Sequence, residues 1–295
     1  MKKVLFLLVI SFFWGFLNAS SLYEKLVNKE TISVGTEGIY PPFTYHDKEG
    51  KLTGYDMEVA RELAKELGVK IKFHETSWDI MLTGLKSGRF DMVANQVSLT
   101  TKKRQAAFDK SLPYSYSGTI MLVRKDENRI KDIKDIKDIK DIKDIKDIKD
   151  IKDIKDIKDI KDIKDIKDIK DIKDIKGLKA ANTLSSTYGE IAFKYDAQIV
   201  SVDSMAQALL LVAQKRADLT LNSSLAILNY LNTHKNNPFK IAWESKEKDG
   251  GASFVINKHQ EKALELINQA MQRLINKGVL KRLGEQFFGK DVSQP

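Results

Sequence analysis

The chain has 295 residues, 42% hydrophobic and 31% charged, with a formal net charge of +9 and no cysteine. That length suits one large domain or two modest lobes, each able to bury a core. The missing cysteines exclude a disulfide framework, a thiolate metal site, a cysteine nucleophile and a lipid-modified cysteine at a mature N-terminus.

In chain order, Met1-Lys2-Lys3, an apolar run from Val4 to Leu17 and the small residues Asn18-Ala19-Ser20-Ser21 read as a cleavable export signal over residues 1–21. The run is too short for an ordinary membrane span, and the cut falls after Ala19 or Ser21. Thr31 to Gly35 is a short strand. Val59, Ala60, Leu63, Ala64 and Leu67 recur at helical spacing and stop at Gly68. Lys70 to Phe73 alternates as a strand, and Ser77 can cap a helix running through Leu85. Met92-Val93-Ala94 is a buried strand. Ser204 with Gln207 makes a capping box ahead of a helix over Ala208 to Ala213. Leu219 to Leu221 is a strand, Ala226 to Leu231 a helix, and Leu264 to Ile275 a long amphipathic helix. The alternation predicts an α/β fold with mostly parallel sheets covered by helices.

Between the two halves of this pattern, Lys-Asp-Ile is repeated fifteen times without a substitution over residues 131–175. Outside the repeat, 61 of 250 residues are charged, about 24%, which is ordinary. A three-residue period slips about 60° per unit round a helix and alternates faces on a strand, so the tract builds no core of its own. The surplus positive charge lies elsewhere and is scattered. No basic run exceeds Lys102-Lys103-Arg104, and none is interleaved with aromatics, which argues against a nucleic-acid or membrane surface.

Parallel α/β sheets bind ligands at the carboxyl ends of their strands. Three polar or aromatic loops follow strands: Thr36 to Phe43, Asn95 to Arg104, and Leu184 to Gly189. Catalytic signatures are missing by comparison. The four histidines lack metal-ligand spacing, there is no Gly-x-Ser-x-Gly elbow, and Gly35-Thr36-Glu37-Gly38 is neither a phosphate loop nor a dinucleotide fingerprint.

The ordered series Gly35 to Phe43, Gly54-Tyr55-Asp56, Trp78-Asp79, Asn95-Gln96-Val97, Arg104-Gln105 and Pro113-Tyr114 resembles the periplasmic solute-binding proteins of polar amino-acid ABC transporters. It most resembles their cystine-binding branch, over nearly the whole chain between the signal and Pro295 except the repeat. The resemblance implies a two-lobed fold, each lobe a mostly parallel sheet flanked by helices, joined by two hinge strands. Lobe 1 would hold residues 22–113 and 249–295, and lobe 2 residues 114–248, with the repeat inserted in lobe 2, remote from the cleft. Two units would fill the family's usual connection there.

The same resemblance implies site roles. Tyr40 and Trp78 would sandwich the ligand side chain, and Asn95 would lie with them. Arg104 would hold the α-carboxylate through a bidentate pair, a geometry that lysine cannot reproduce. Counting back from Pro113-Tyr114 places the family arginine at Arg104, whereas counting forward from Asn95-Gln96 places it at Lys103; chemistry favours Arg104. Ser98, Thr100, Ser186 and Thr187 would surround the carboxylate, and Glu37 would face the ligand's far end. One departure stands out. Family members usually carry an aspartate for the α-ammonium where this chain has Ser223. Losing that charge-assisted bond costs about 1.5–3 kcal/mol, so Glu37 or water must compensate, or the ligand is not a standard α-amino acid.

The function implied is an amino-acid receptor, cystine first, that serves an ABC permease of the inner membrane. It would be a non-enzymatic monomer in the periplasm, without cofactor, metal, nucleic acid or lipid anchor. The alternatives are a receptor for glutamine, for glutamate or aspartate, or for a basic amino acid, or a periplasmic dehydratase-like enzyme on the same fold.

Overall fold

The computed structural model describes residues 20–127, 172, 175–246 and 248–295; residues 1–19, within the segment expected to be an export signal, and nearly all of the repeat lie outside the described residues. Within them the strands are β1 (Thr31–Thr36), β2 (Ile39–Tyr40), β3 (Thr44–His46), β4 (Leu52–Thr53), β5 (Lys70–Glu75), β6 (Met92–Val93), β7 (Phe108–Lys110), β8 (Thr119–Arg124), β9 (Lys179–Asn182), β10 (Gln198–Ser201), β11 (Leu219–Ser223), β12 (Phe239–Glu244) and β13 (Val255–Asn257). They form two five-stranded sheets, ordered β5-β1-β6-β13-β7 and β10-β9-β11-β8-β12, and a small ladder β2-β3-β4.

The two sheets share one plan. In the first, β1 is parallel to β5 and β6, while β13 is antiparallel to β6 and β7. In the second, β9 is parallel to β10 and β11, while β8 is antiparallel to β11 and β12. Each sheet therefore has a single reversed strand, and it is the one that brings the chain over from the other lobe. A strand arriving from the gap between the lobes runs away from it, whereas the other four run toward it. Their carboxyl ends consequently face the gap, where an α/β sheet places its ligand.

The two crossings are bonded to each other. Ser115 and Ala252 form an antiparallel bridge, Tyr114 N–H bonds the Ala252 carbonyl and Ala252 N–H the Ser115 carbonyl, both at 2.8 Å, and Asp249 N–H reaches the Ser117 carbonyl at 2.7 Å. Two short, paired connections are the geometry of a hinge.

Local sequence explains the helices that cover the sheets. Helix Tyr55–Leu67 buries Val59, Ala60, Leu63, Ala64 and Leu67 and ends at Gly68, whose left-handed φ of 71° lets its N–H bond the Ala64 and Lys65 carbonyls. Its apolar face packs on helix Glu261–Asn276 through Ala263, Ile267, Ala270, Met271 and Leu274 in one cluster. Each large side chain so buried contributes about 1.5–3 kcal/mol.

Two capping expectations need correction. Ser77 stands at the N-cap of helix Trp78–Lys86, but its hydroxyl makes no capping bond. Ser204 does accept from Gln207 N–H at 3.3 Å, yet the Gln207 side chain accepts from Asp203 N–H and not from Ser204, so the box is only half closed. At the N-terminus, Ser21 and Glu24 form a complete capping box on helix Leu22–Val27.

The end of the repeat belongs to the second lobe. Ile172 and Ile175 are fully buried and pack with Met121, Val123, Leu219 and Leu221. These two isoleucines have a fixed apolar environment even though the tripeptide period offers none by itself. Deleting thirteen whole units, residues 131–169, leaves both in place and is expected to leave stability and ligand affinity unchanged. Ile175→Ala is expected to cost about 2–4 kcal/mol in urea denaturation. A strongly destabilised deletion variant, or a neutral Ile175→Ala, would contradict this.

Candidate ligand-binding cleft

The motifs that carry the resemblance first build a frame. Gly54 adopts φ 120°, and a side chain there would strike the Phe43 carbonyl, so glycine is required. The next residue, Tyr55, donates its hydroxyl to the Tyr114 carbonyl at 2.6 Å. Asp56 is fully buried and accepts three bonds: Gln96 N–H at 2.6 Å, Gln96 Nε2 at 2.6 Å and the Tyr114 hydroxyl at 2.9 Å. These hold Gln96 in a left-handed conformation at φ 51°. Asn95 then turns toward β1, accepting from Glu37 N–H at 2.8 Å and Thr36 Oγ1 at 3.1 Å while donating to the Glu37 carboxylate at 2.6 Å.

On this frame the first lobe presents Glu37, Tyr40, Trp78, Asn95 and Gln96 to the cleft. The second lobe presents Asn182, Thr183, Ser186, Tyr188, Thr220 and Asn222, together with Val202, Ser204, Met205 and Ala208. The cleft encloses about 570 Å³ of empty space, open solvent at its mouth included, but only about 50 Å³ of free volume inside. That is room for a few waters.

The lobes touch along a seam beside the cleft. Tyr40 donates its hydroxyl to Asn222 Oδ1 at 2.5 Å, and Ser185 Oγ donates to Asp79 at 2.5 Å. The Arg104 guanidinium bonds the Ser185 carbonyl, reaches Thr187 Oγ1 at 3.2 Å and lies 3.5 Å from Glu190.

The ten residues expected from sequence thus fall in three places. Glu37, Tyr40, Trp78, Asn95 and Ser186 line the cleft. Arg104 and Ser98 are buried at the seam, where Thr100 meets Thr187 at 3.5 Å, and neighbouring Lys103 is exposed. Ser223 is not among the lining residues; its hydroxyl lies 2.6 Å from the Ser117 hydroxyl at the hinge.

A profile of the bacterial extracellular solute-binding proteins, family 3, matches residues 32–290. The chain belongs to this family. It is 37% identical over 274 residues to the L-cystine-binding protein TcyA of Bacillus subtilis, covering 92% of this chain and 87% of TcyA. The L-cystine solute receptor of Neisseria gonorrhoeae, solved in an unliganded open conformation, is 46% identical, with 94% of this chain and all of the receptor covered and a TM-score of 0.56. An ancestral arginine-binding protein bound to arginine is 25% identical, with 88% and 98% covered, and superposes with a TM-score of 0.70. Among the described residues of this family 3 protein, no helix is long and apolar enough to cross a membrane.

Burial sets the electrostatics of the cleft. It pushes the Glu37 carboxyl up to about 7, against the Asn95 hydrogen bond and with help from the nearby Asp79 charge. Burial likewise pushes Asp56 up to about 7, although its three donors favour the carboxylate. Asp249 in the hinge rises to about 6 for the same reason, opposed by Gly251 N–H and Ser117 N–H. Desolvation lowers Arg104, and Glu190 opposes that shift.

A carboxyl with a raised folded-state pKa binds protons more tightly folded than unfolded. The stabilisation from Glu37 and Asp56 is therefore complete below about pH 4 and is lost as pH climbs through about 7. Melting temperatures are expected to fall between about pH 5 and about pH 8, and to fall less in Glu37→Gln; a rise in wild type that the variant repeats would contradict the shifts.

Asn182, Tyr188, Thr220 and Asn222 were missed by the sequence reading. Asn182 and Asn222 leave a faint signal, as polar residues at the ends of otherwise apolar strand runs.

Proposed function

We propose that this protein captures a polar amino acid, cystine first, in the periplasm after removal of its export signal, and delivers it to an inner-membrane ABC permease as a monomer. Lobe 1 (residues 22–113 and 249–295) and lobe 2 (residues 114–248) turn about the paired crossings to close on the ligand. The observation that carries this reading is the meeting of Arg104, from the first lobe, with the N-terminal turn of helix Thr187–Lys194, from the second. A ligand carboxylate would replace the Ser185 carbonyl and Glu190 on the guanidinium, and the helix end adds donors and a favourable dipole. Two lobes then share one anion, so closure depends on the ligand.

Tyr40 and Trp78 supply apolar area for a side chain, and sulfur suits aromatic edges. Glu37 takes the ammonium in place of the family aspartate, and Asp249 adds negative potential from the hinge. The cystine names of TcyA and the gonococcal receptor support the ligand choice.

A thermal-shift screen of the common amino acids with cystine tests this. The expected result is one strong stabiliser, cystine, with glutamine, glutamate and arginine much weaker; no stabilisation by any of them would sink the reading. The raised Glu37 favours a second reading, an elimination reaction on a bound ligand with Glu37 as the proton carrier. Recovery of the ligand unchanged after long incubation rules it out.

A further inference from the structure

One end of the cleft lining has a chemistry that the carboxylate clasp leaves unused. Val202, Met205 and Ala208, the last two on helix Met205–Ala213, line it together with Thr220. Thr220 sits on β11 between Leu219 and Leu221, whose side chains pack on the opposite face with Met121 and Val123. It is paired with Leu122, which belongs to the same cluster as Val202 and Ala208.

Thr220 is fully buried, and its hydroxyl has no hydrogen-bond partner. Its polar neighbours are committed elsewhere. Asn182 gives Nδ2 to the Leu221 carbonyl at 2.7 Å and takes Leu221 N–H at 3.3 Å, and Ser204 caps its helix. A valine would fill the same space without the cost of an unsatisfied hydroxyl.

We propose that this end of the cleft is a side-chain pocket of the second lobe, where Thr220 hydrogen-bonds a polar atom at the far end of the bound amino acid. The ligand class is an amino acid whose side chain runs several apolar, polarisable atoms before a polar terminus. Met205 and Ala208 suit a thioether or disulfide stretch, and a threonine hydroxyl can either donate or accept at the tip. The proposal rests on the amino-acid-binding reading and adds which side chains are selected, and by which lobe.

The test is calorimetric titration, without reductant, of wild type, Thr220→Val and Ala208→Leu with L-cystine, L-cystathionine and L-serine. Thr220→Val is expected to weaken cystine and cystathionine about five- to tenfold, leave any serine binding unchanged, and melt no lower than wild type. Ala208→Leu fills the pocket and should lose the long ligands while sparing the short one. Full long-ligand affinity in Thr220→Val, with a raised melting temperature, overturns the pocket and leaves Thr220 an ordinary core hydroxyl. Equal losses for long and short ligands overturn it too. Failure of wild type to bind any of the three strikes instead at the amino-acid reading beneath it.

Discussion

Arg104→Ala is expected to weaken amino-acid binding at least a hundredfold while changing the melting temperature of the unliganded protein by only a few degrees. The guanidinium is buried at the seam, and its present partners are two backbone carbonyls, a threonine hydroxyl and a carboxylate 3.5 Å away. A ligand carboxylate would give it two charge-assisted bonds, together about 3–4 kcal/mol. Removing them costs about two to three decades of affinity. Arg104→Lys should recover only part of the loss, because an ammonium cannot form the planar pair. Lys103→Ala should be neutral, since that side chain points to solvent. Titration of the three variants decides between the two alignments of this loop; a heavy loss in Lys103→Ala with Arg104→Ala unaffected would reverse the assignment.

Asp56→Ala is expected to be the most destabilising change near the cleft, at about 3–4 kcal/mol by urea denaturation. Three donors lose their acceptor at once: the backbone and side chain of Gln96 and the hydroxyl of buried Tyr114. Each donor left unsatisfied costs about 1–3 kcal/mol, with water recovering some of it. Asp56→Asn should cost about half as much, because the amide keeps one acceptor but turns its NH₂ toward donors. Gln96 lines the cleft at a positive φ that these bonds impose, so both variants should also weaken ligand binding about tenfold. A stable Asp56→Ala variant with full affinity would contradict the frame described here.

Much of the fold was legible because the decisive signals are local. The apolar spacing from Val59 to Leu67 and the stop at Gly68 describe a helix without reference to anything distant. The loops after β1 and β6 were likewise visible as polar breaks after apolar runs. The second lobe's share of the site was harder to see. Thr220 and Asn222 lie in a strand buried along its whole length, and only the long-range topology decides which end of that strand meets the other lobe. The resemblance puts Ser223 where the family aspartate stands, and only the fold shows that its hydroxyl also lies 2.6 Å from the Ser117 hydroxyl at the hinge. The motif Gly54-Tyr55-Asp56 sits within the resemblance, yet its residues act as struts that fix Gln96 and Tyr114. The repeat shows the limit of periodicity alone. In sequence its last two isoleucines, which fit the core of the second lobe, are identical to the other thirteen.

Direct calorimetric titration of the protein with L-cystine, beside the other amino acids, tests the central claim. Saturable binding of one cystine per chain, lost in Arg104→Ala, is the predicted result. Absence of heat and of thermal stabilisation with every amino acid tried would contradict it.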